Sequence, residues 1–378
     1  MKNEANRIQN PGRSRRHQFS VSAFCILHFA FSISCSAEPA SGTVFYHTSL
    51  PEASAVSVAG SPPRWLAVVD NELARVALFP LEPQSAKVHA PALSVVTSPG
   101  YAVDDLEAAT VFPWDANGDG KPESVHHVFA GSCSRTKKGK VVAGRDALFS
   151  VVINTEAVAA GQPGAFPPPS AVEYNRTLRS QIRALGSEHP DTPWGPVLRD
   201  SVWPAGQQPA AENSALAGGN AAGLNIEGLT VSKDARALLL GLRSPLIEGR
   251  ALLIPVTNPV AALGLGGSAP QPVALTAPAL LDLGGLGFRS IEWDEAGRAY
   301  LIAAGSADDG GVFQLYTWSG EVKDQPVAVT SPAAAAAAKI KPEGVTPVPG
   351  RESAALVGDG VAGAPFHVGI WVDFRGTK

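Results

Sequence analysis

Cysteine, methionine and charged residues are all scarce in this chain of 378 residues. It contains three cysteines and one methionine, and only 17% of its residues are charged. So little charge excludes a coiled coil or another long-helix protein, which needs about half of its residues to be Ala, Glu, Lys, Leu and Arg at helical spacing. Cys25 and Cys35 lie within the first 37 residues, so the rest of the chain keeps only Cys133. We therefore expect no intramolecular disulfide, and a free thiol at Cys133.

Residues 1–37 have the composition of a secretory leader. Basic residues come first, residues 19–33 form an apolar core, and residues 36–37 are small, as a signal peptidase requires. The apolar core is too short to span a bilayer, which takes about 20 residues. We predict a signal peptide over 1–37, no membrane span, and an exported protein that is periplasmic or extracellular.

The charge balance is mildly acidic. The net charge is −4, and the leader holds five basic residues against one acidic residue, so the chain without it is more acidic still. Nucleic acid and anionic membranes are unfavourable partners for such a surface. We expect a monomer whose partner is a small molecule or another protein.

One sequence pattern recurs along the chain, and its copies are separated by segments rich in glycine and proline, of which the chain has 38 and 32. It consists of a strand led by glutamate, a turn, a second strand that ends in glycine or aspartate, and then a third strand. The copies begin at Glu52, Glu107, Glu227, Glu292 and Glu343. Short strands repeated at intervals of roughly 50–65 residues are typical of β-propeller blades. We predict an all-β fold, a β-propeller with five blades.

The interval between Glu107 and Glu227 is twice as long as the others. We interpret residues of about 165–222 as an insertion, because Leu178, Ile182 and Leu185 have the spacing of a short amphipathic helix. A degenerate sixth blade is the alternative. The last copy runs out of chain, so the strand at 43–47 is predicted to complete it and close the ring. Residues 38–378 then form one domain.

The first strand of each propeller blade lines the central channel. Glu107, Glu227, Glu292 and Glu343 would therefore form a ring of carboxylates. Such groups raise one another's pKa unless a cation compensates them, and oxygen ligands suit calcium. The alternative is that these glutamates cap backbone amides. The first interpretation predicts a calcium ion in the channel.

Serines and arginines flank several copies of this repeated sequence pattern. The candidate ligand-binding residues are Ser132, Arg135, Arg243, Arg289 and Ser306. Guanidinium groups among carboxylates suit an anionic ligand. They can equally pair with the glutamates, and both interpretations stay open.

A second candidate metal site lies at residues 115–123. Asp115, Asn117 and Asp119 occupy positions 1, 3 and 5 of a calcium loop, a glycine occupies position 6, and Glu123 occupies position 9. Position 12 is His126, so the glutamate that closes an EF-hand is missing. The spacing predicts a calcium loop closed by its ninth residue.

Several short sequence segments resemble those of a secreted bacterial family known as domain of unknown function 3616 (DUF3616). They are residues 105–109, 131–140, 224–229, 241–246, 282–287 and 289–292. The resemblance spans about 104–373 and implies a propeller-like exported protein, but it brings no activity with it.

Two functions from different classes fit these patterns. The first is a non-catalytic propeller that binds calcium and takes a ligand or partner in its acidic channel. The second is a calcium-dependent hydrolase of phosphate or other esters at the channel mouth, in which a glutamate takes the proton. We favour the first, because no nucleophile or catalytic base stands out among the residues.

Overall fold

The computed structural model describes residues 44–47, 52–81, 96–136, 140–160, 164–202, 223–307, 311–350, 353–358 and 367–373. The predicted signal peptide lies outside these residues, as do Cys25 and Cys35. Within the described part of the chain, no helix is long and apolar enough to cross a membrane.

The described chain is built mainly of β-strands, beginning with β1 (Val44–His47). Five antiparallel sheets follow. Sheet 1 contains β2 (Ala53–Ala59), β3 (Trp65–Asp70), β4 (Arg75–Pro80) and β5 (Val96–Thr97), and sheet 2 contains β6 (Leu106–Trp114), β7 (Ser124–Gly131) and β8 (Leu148–Val151). Sheet 3 contains β9 (Asn225–Val231), β10 (Leu238–Ser244), β11 (Ala251–Val256) and β12 (Ala279–Leu281). Sheet 4 contains β13 (Gly287–Asp294), β14 (Ala299–Gly305), β15 (Phe313–Trp318) and β16 (Val327–Ala328), and sheet 5 contains β17 (Pro342–Pro347), β18 (Ser353–Gly358) and β19 (His367–Asp373).

Strands within each sheet pair in chain order, as in a meander. The exception is β1, which pairs antiparallel with β19 and places Val44 opposite Ile370 and His47 opposite His367. The N-terminal strand therefore lies at the edge of sheet 5, where the sequence places it. An all-β fold of repeated antiparallel sheets, the architecture of a propeller, is confirmed.

The first strands of the five sheets pack against one another. Each of β2, β6, β9, β13 and β17 contacts two others in cyclic order, and β17 adjoins β2. Small residues permit this approach. A Cβ on Gly228 would lie 3.1 Å from the Ile291 side chain, and a Cβ on Gly344 would lie 2.9 Å from the backbone nitrogen of Val56.

Five short α-helices accompany the sheets in the described part of the chain. They are α1 (Thr155–Ala159), α2 (Leu178–Glu188), α3 (Gly195–Ser201), α4 (Pro259–Ala262) and α5 (Pro332–Ala338). Helix α2 buries Leu178, Ile182 and Leu185 in a cluster that also contains Leu148 of sheet 2 and Leu240 of sheet 3. The amphipathic helix predicted for the insertion is thus confirmed. Residues 203–222, the rest of the predicted insertion, lie outside the described residues.

Gly344→Ala tests the close approach of β17 and β2. The added methyl group would clash with backbone atoms of Ala55 and Val56, and we expect a loss of about 1–3 kcal/mol in the free energy of unfolding. Gly223→Ala is the matched control, because its new Cβ would have no neighbour closer than 4.0 Å. Urea denaturation of both variants measures the difference. Equal effects of the two substitutions would contradict the packing described here.

Candidate functional site

The same irregularity occurs near the start of each innermost strand. Where that strand pairs with the next one, the register shifts and skips one residue of the innermost strand. The skipped residues are Ser54, Glu107, Glu227, Arg289 and Glu343. A β-bulge of this kind re-aims a side chain. Because the five strands are adjacent in cyclic order, we call these five residues the bulge layer.

The positive charges of two arginines compensate the negative charges of two glutamates of the bulge layer. Nη1 of Arg289 donates to Oε1 and Oε2 of Glu343 at 2.7 and 2.6 Å and lies 3.2 Å from Oε2 of Glu227. Nη1 of Arg243 donates to Oε1 of Glu227 at 3.0 Å. All four side chains are buried. The predicted ligand-binding arginines Arg243 and Arg289 thus pair with the predicted channel glutamates.

Burial also governs the charge of Arg289. Burial acts to lower the pKa of its guanidinium, but the carboxylates of Glu227 and Glu343 outweigh that effect and raise the pKa above its usual value. Arg289 therefore stays charged. The two glutamates it faces are neutralised without a metal ion.

Glu107 is the third glutamate of the bulge layer and the most exposed of them. Its Oε1 accepts a hydrogen bond from Nδ2 of Asn71 at 3.1 Å. Burial of the carboxyl group, followed by repulsion from Asp105, Glu227 and Glu343, raises the pKa of Glu107 well above its ordinary value. Glu107 therefore keeps its proton to a higher pH than an ordinary glutamate does.

Glu292 does not belong to the bulge layer, which corrects the predicted ring of four glutamates. Arg289 occupies the corresponding position of sheet 4, and Glu292 follows three residues later. The residues at that later position are Ser57, Thr110, Thr230, Glu292 and Thr346, which we call the hydroxyl layer.

The hydroxyl layer surrounds Glu292 with donors. Oγ1 of Thr110 donates to both carboxylate oxygens at 3.1 and 3.0 Å, and Oγ1 of Thr230 donates to Oε1 at 3.0 Å. Burial nevertheless outweighs these hydrogen bonds and raises the pKa of Glu292 to about 8. In the same layer, Oγ of Ser57 lies 3.2 Å from Nδ1 of His127. Burial lowers the pKa of His127 to about 4, so this imidazole is neutral at pH 7.

The remaining predicted ligand residues lie beside the bulge layer. Ser132 donates to Oδ2 of Asp105, which also forms an ion pair with Arg145 at 2.9 Å. Arg135 is half-buried, and burial lowers its pKa to about 10. Ser306 participates through its backbone, since its carbonyl oxygen accepts from Nε of Arg243 at 3.2 Å.

Cys133 follows Ser132 and is buried as a free thiol. Its backbone has a positive φ of 54°. Burial raises the pKa of this thiol far above its usual range, so it is not a reactive thiolate.

The predicted calcium loop gathers oxygen ligands at the other end of β6. Carboxylate oxygens of Asp115, Asp119 and Glu123 lie within 4.8 Å of one another. Oδ1 of Asp115 accepts from the backbone nitrogen of Gly118 at 2.7 Å, and Oδ1 of Asn117 accepts from that of Asp119 at 2.8 Å. This all-oxygen set fits a hard cation such as calcium.

The two candidate sites are far apart. Glu107 lies near the start of β6, and Asp115 follows its last residue, so about eight residues separate them. At about 3.3 Å per residue, this spacing corresponds to roughly 25 Å. An ion in the loop therefore has no contact with the bulge layer.

Residues 215–345 match the model of a family described as protein of unknown function (DUF3616). The resemblance predicted from the sequence is confirmed over these residues. No curated protein matches the chain.

Three solved structures illustrate the structural similarity. The β-propeller domain of Cps50 (Swd1) from Myceliophteria thermophila is 12% identical, with a TM-score of 0.36 over 84% of this chain and 82% of that one. A putative oxidoreductase (glucose dehydrogenase) from Thermus thermophilus is 11% identical, with a TM-score of 0.39 over 86% and 99%. The periplasmic gluconolactonase PpgL of Pseudomonas aeruginosa is 10% identical, with a TM-score of 0.33 over 81% and 64%. Similarity at this level carries no functional argument.

Glu292→Gln tests the protonation of the hydroxyl layer. Because burial raises the pKa of Glu292 to about 8, the folded protein holds this proton more tightly than the unfolded chain does. The resulting stability is complete below about pH 4 and is lost as the pH rises through 8. We expect the variant to be more stable than the wild type at pH 9 by at least about 1.4 kcal/mol, the equivalent of one pKa unit.

Thermal and urea unfolding between pH 5 and pH 9 measure this effect. Glu321→Gln is the control, since Glu321 is half-exposed and pairs with Lys233 at the surface. If wild type and Glu292→Gln lose stability in parallel as the pH rises, the assignment of a buried, protonated Glu292 is wrong.

Proposed function

We propose that the five sheets are the blades of a five-bladed propeller and that its bulge layer binds a small, oxygen-rich ligand. The observation that carries this proposal is the β-bulge repeated in all five inner strands. Bulges next to functional sites re-aim side chains at a cost in strand pairing. Here the bulged position holds an ionisable residue in four of the inner strands and a serine in the fifth. Burying that many ionisable side chains destabilises the fold, which is unexpected if the inner strands serve only to pack the sheets together.

The charges of the bulge layer support a ligand more than a channel ion. Arg243 and Arg289 already neutralise Glu227 and Glu343 at hydrogen-bonding distance. A calcium ion would compete with these guanidinium groups for the same oxygen atoms. We therefore propose a metal-free binding site.

Glu107 and Asn71 form the contact surface of this site. Protonated Glu107 can donate a hydrogen bond, and among the three glutamates of the layer it is the residue that is not fully buried. Oδ1 of Asn71 is buried and, among the described residues, has no hydrogen-bond partner. A buried acceptor of this kind costs about 1–3 kcal/mol if it stays unsatisfied. A ligand hydroxyl that donates to Asn71 and accepts from Glu107 satisfies both groups.

A hydrolase is the second candidate function, and Glu107 is the observation that favours it. A carboxyl group with a raised pKa, on a residue that is not fully buried, is suited to general acid catalysis. Calcium in the loop of residues 115–123 lies too far away to polarise a bond at Glu107. This candidate therefore reduces to acid–base catalysis of ester hydrolysis by Glu107, with no role for the loop ion.

Glu107→Gln separates these functions. We screen sugars, hydroxy acids, lactones and phosphate esters by thermal shift. We expect a class that stabilises the wild type but binds the variant at least about tenfold less tightly, the loss of one hydrogen bond to the Glu107 carboxyl group. Glu156→Gln is the control on an exposed helix. Turnover of an ester that disappears in Glu107→Gln, and that is unchanged by a calcium chelator, favours the hydrolase. If every ligand that binds the wild type binds Glu107→Gln equally well, the proposal that the bulge layer is the binding site is wrong.

We also propose that the loop of residues 115–123 binds calcium in a structural role through Asp115, Asn117, Asp119 and Glu123. Three carboxylates and an amide oxygen in one exposed turn support this proposal. An ion that binds only the folded protein stabilises it by about 2.7 kcal/mol at a hundredfold excess over Kd.

Asp119→Ala tests the loop by calorimetry. We expect the wild type to show one calcium-binding event and the variant to show none, while Glu248→Ala, an exposed acid outside the loop, behaves as the wild type does. Undiminished binding in Asp119→Ala would contradict the loop assignment. A second binding event that survives in the variant would place calcium in the channel and overturn the metal-free bulge layer.

A further inference from the structure

A cavity of about 760 Å³ opens near the end of β6 that is remote from the bulge layer. Three segments that are distant in the sequence line it: residues 112–122 in part, the turn at 234–236, and residues 257–268 in part. Its volume is in the range of sites that hold small molecules. None of its lining residues belongs to the bulge layer, so its function is independent of the one proposed above.

The floor of this cavity is apolar and aromatic. Phe112 and Leu265 are buried, and Trp114 is half-buried beside them. The Trp114 ring makes an edge contact with His126, with centroids 5.8 Å apart, and lies close to the backbone of Gly266, where an added Cβ would be 3.5 Å from the ring. A fixed aromatic ring loses little conformational entropy when a ligand stacks on it.

The rim carries a carboxylate and a guanidinium that are able to bind a ligand. Asp234 and Arg236 lie on the turn between β9 and β10, and Oδ2 of Asp234 is 3.9 Å from Nε of Arg236. The Arg236 side chain is 88% exposed. Oδ1 of Asp234 accepts from Ser232 at 2.6 Å, and this hydrogen bond lowers the pKa of Asp234, which stays ionised. Since so exposed and long an ion pair is worth little, both groups can turn to a ligand.

We propose that this cavity binds a neutral saccharide, with one sugar ring stacked on Trp114 and its hydroxyls bonded to Asp234 and Arg236. A carboxylate accepts from two neighbouring hydroxyls, and a guanidinium donates to hydroxyl oxygens. A pyranose ring combines such hydroxyls with an apolar face that fits the aromatic floor. The opposite charges of Asp234 and Arg236 cancel, and Asp115 of the acidic loop lines the same cavity and disfavours an anion.

Calorimetry with the full chain tests this proposal, using cellobiose and maltose as neutral probes and digalacturonate as an anionic probe. We expect one of the neutral disaccharides to bind at a single site. Trp114→Ala should weaken that binding at least about tenfold, and Asp234→Asn and Arg236→Ala should each weaken it about threefold to tenfold. Trp293→Ala is the matched control, because Trp293 is a half-buried tryptophan of sheet 4 outside the cavity.

Three results would overturn the proposal. They are no binding of either neutral disaccharide, tighter binding of digalacturonate, or binding that Asp234→Asn and Arg236→Ala leave unchanged. The last two variants lie on an exposed turn, so they decide the outcome even if Trp114→Ala does not fold. A saccharide bound in this cavity loses affinity in Asp234→Asn and Arg236→Ala and keeps it in Glu107→Gln, whereas a sugar bound at the bulge layer shows the opposite pattern, so failure here is distinguishable from failure at the bulge layer.

Discussion

The ion pairs of Arg289 are the interaction on which the candidate site depends. This guanidinium faces Glu227 and Glu343, which lie on the sheets before and after its own. Removing one partner of a buried ion pair costs about 3–5 kcal/mol, because an uncompensated charge is left behind. Without Arg289, Glu227 and Glu343 would lose the cation that lies 3.2 and 2.6 Å from their carboxylates. The same contacts therefore tie three consecutive sheets together and compensate two of the negative charges of the layer.

The bulge that aims these side chains is coupled to the packing of the inner strands. In every sheet the residue that follows the bulged position is small: Ala55, Ala108, Gly228, Ser290 and Gly344. At Gly228 and Gly344 a larger residue would collide with the neighbouring inner strand. The small residue lets the strands approach, and this approach brings the bulged side chains within hydrogen-bonding distance. Close packing and the polar site are thus two effects of one local motif.

Much of the fold could be predicted because each sheet contains one copy of the same strand–turn–strand sequence pattern. The regular spacing of these copies can be recognised in the sequence. The layer to which each glutamate belongs could not be predicted in the same way. A β-bulge shifts the strand register by one residue, and the repeated sequence pattern looks the same with or without that shift. Glu292 was assigned to the wrong layer for this reason. A signal was present: Glu107, Glu227 and Glu343 are each followed three residues later by threonine, whereas Arg289 is followed at that distance by Glu292.

The arginines illustrate a second limit of sequence reasoning. Their proximity to glutamates was predicted, but the choice between an anionic ligand and ion pairing depends on distances of 2.6–3.2 Å that only the structure supplies. The cavity beside Trp114 was not predicted at all. Its three segments carry no shared motif, and they meet only because the ends of sheets 2 and 3 lie side by side.

The hydroxyl layer separates the two ends of the inner strands electrostatically. With a pKa of about 8, Glu292 is mostly protonated at neutral pH, and the neighbouring side chains of its layer are hydroxyls. A nearly neutral layer thus lies between the ion pairs of the bulge layer and the acidic loop at Asp115. The roughly 25 Å between Glu107 and Asp115 also weakens any direct Coulomb interaction between the two ends, because that energy falls with distance. Ligand binding at one end should therefore leave the charge state at the other end unchanged, and the sites can be assayed independently below pH 8.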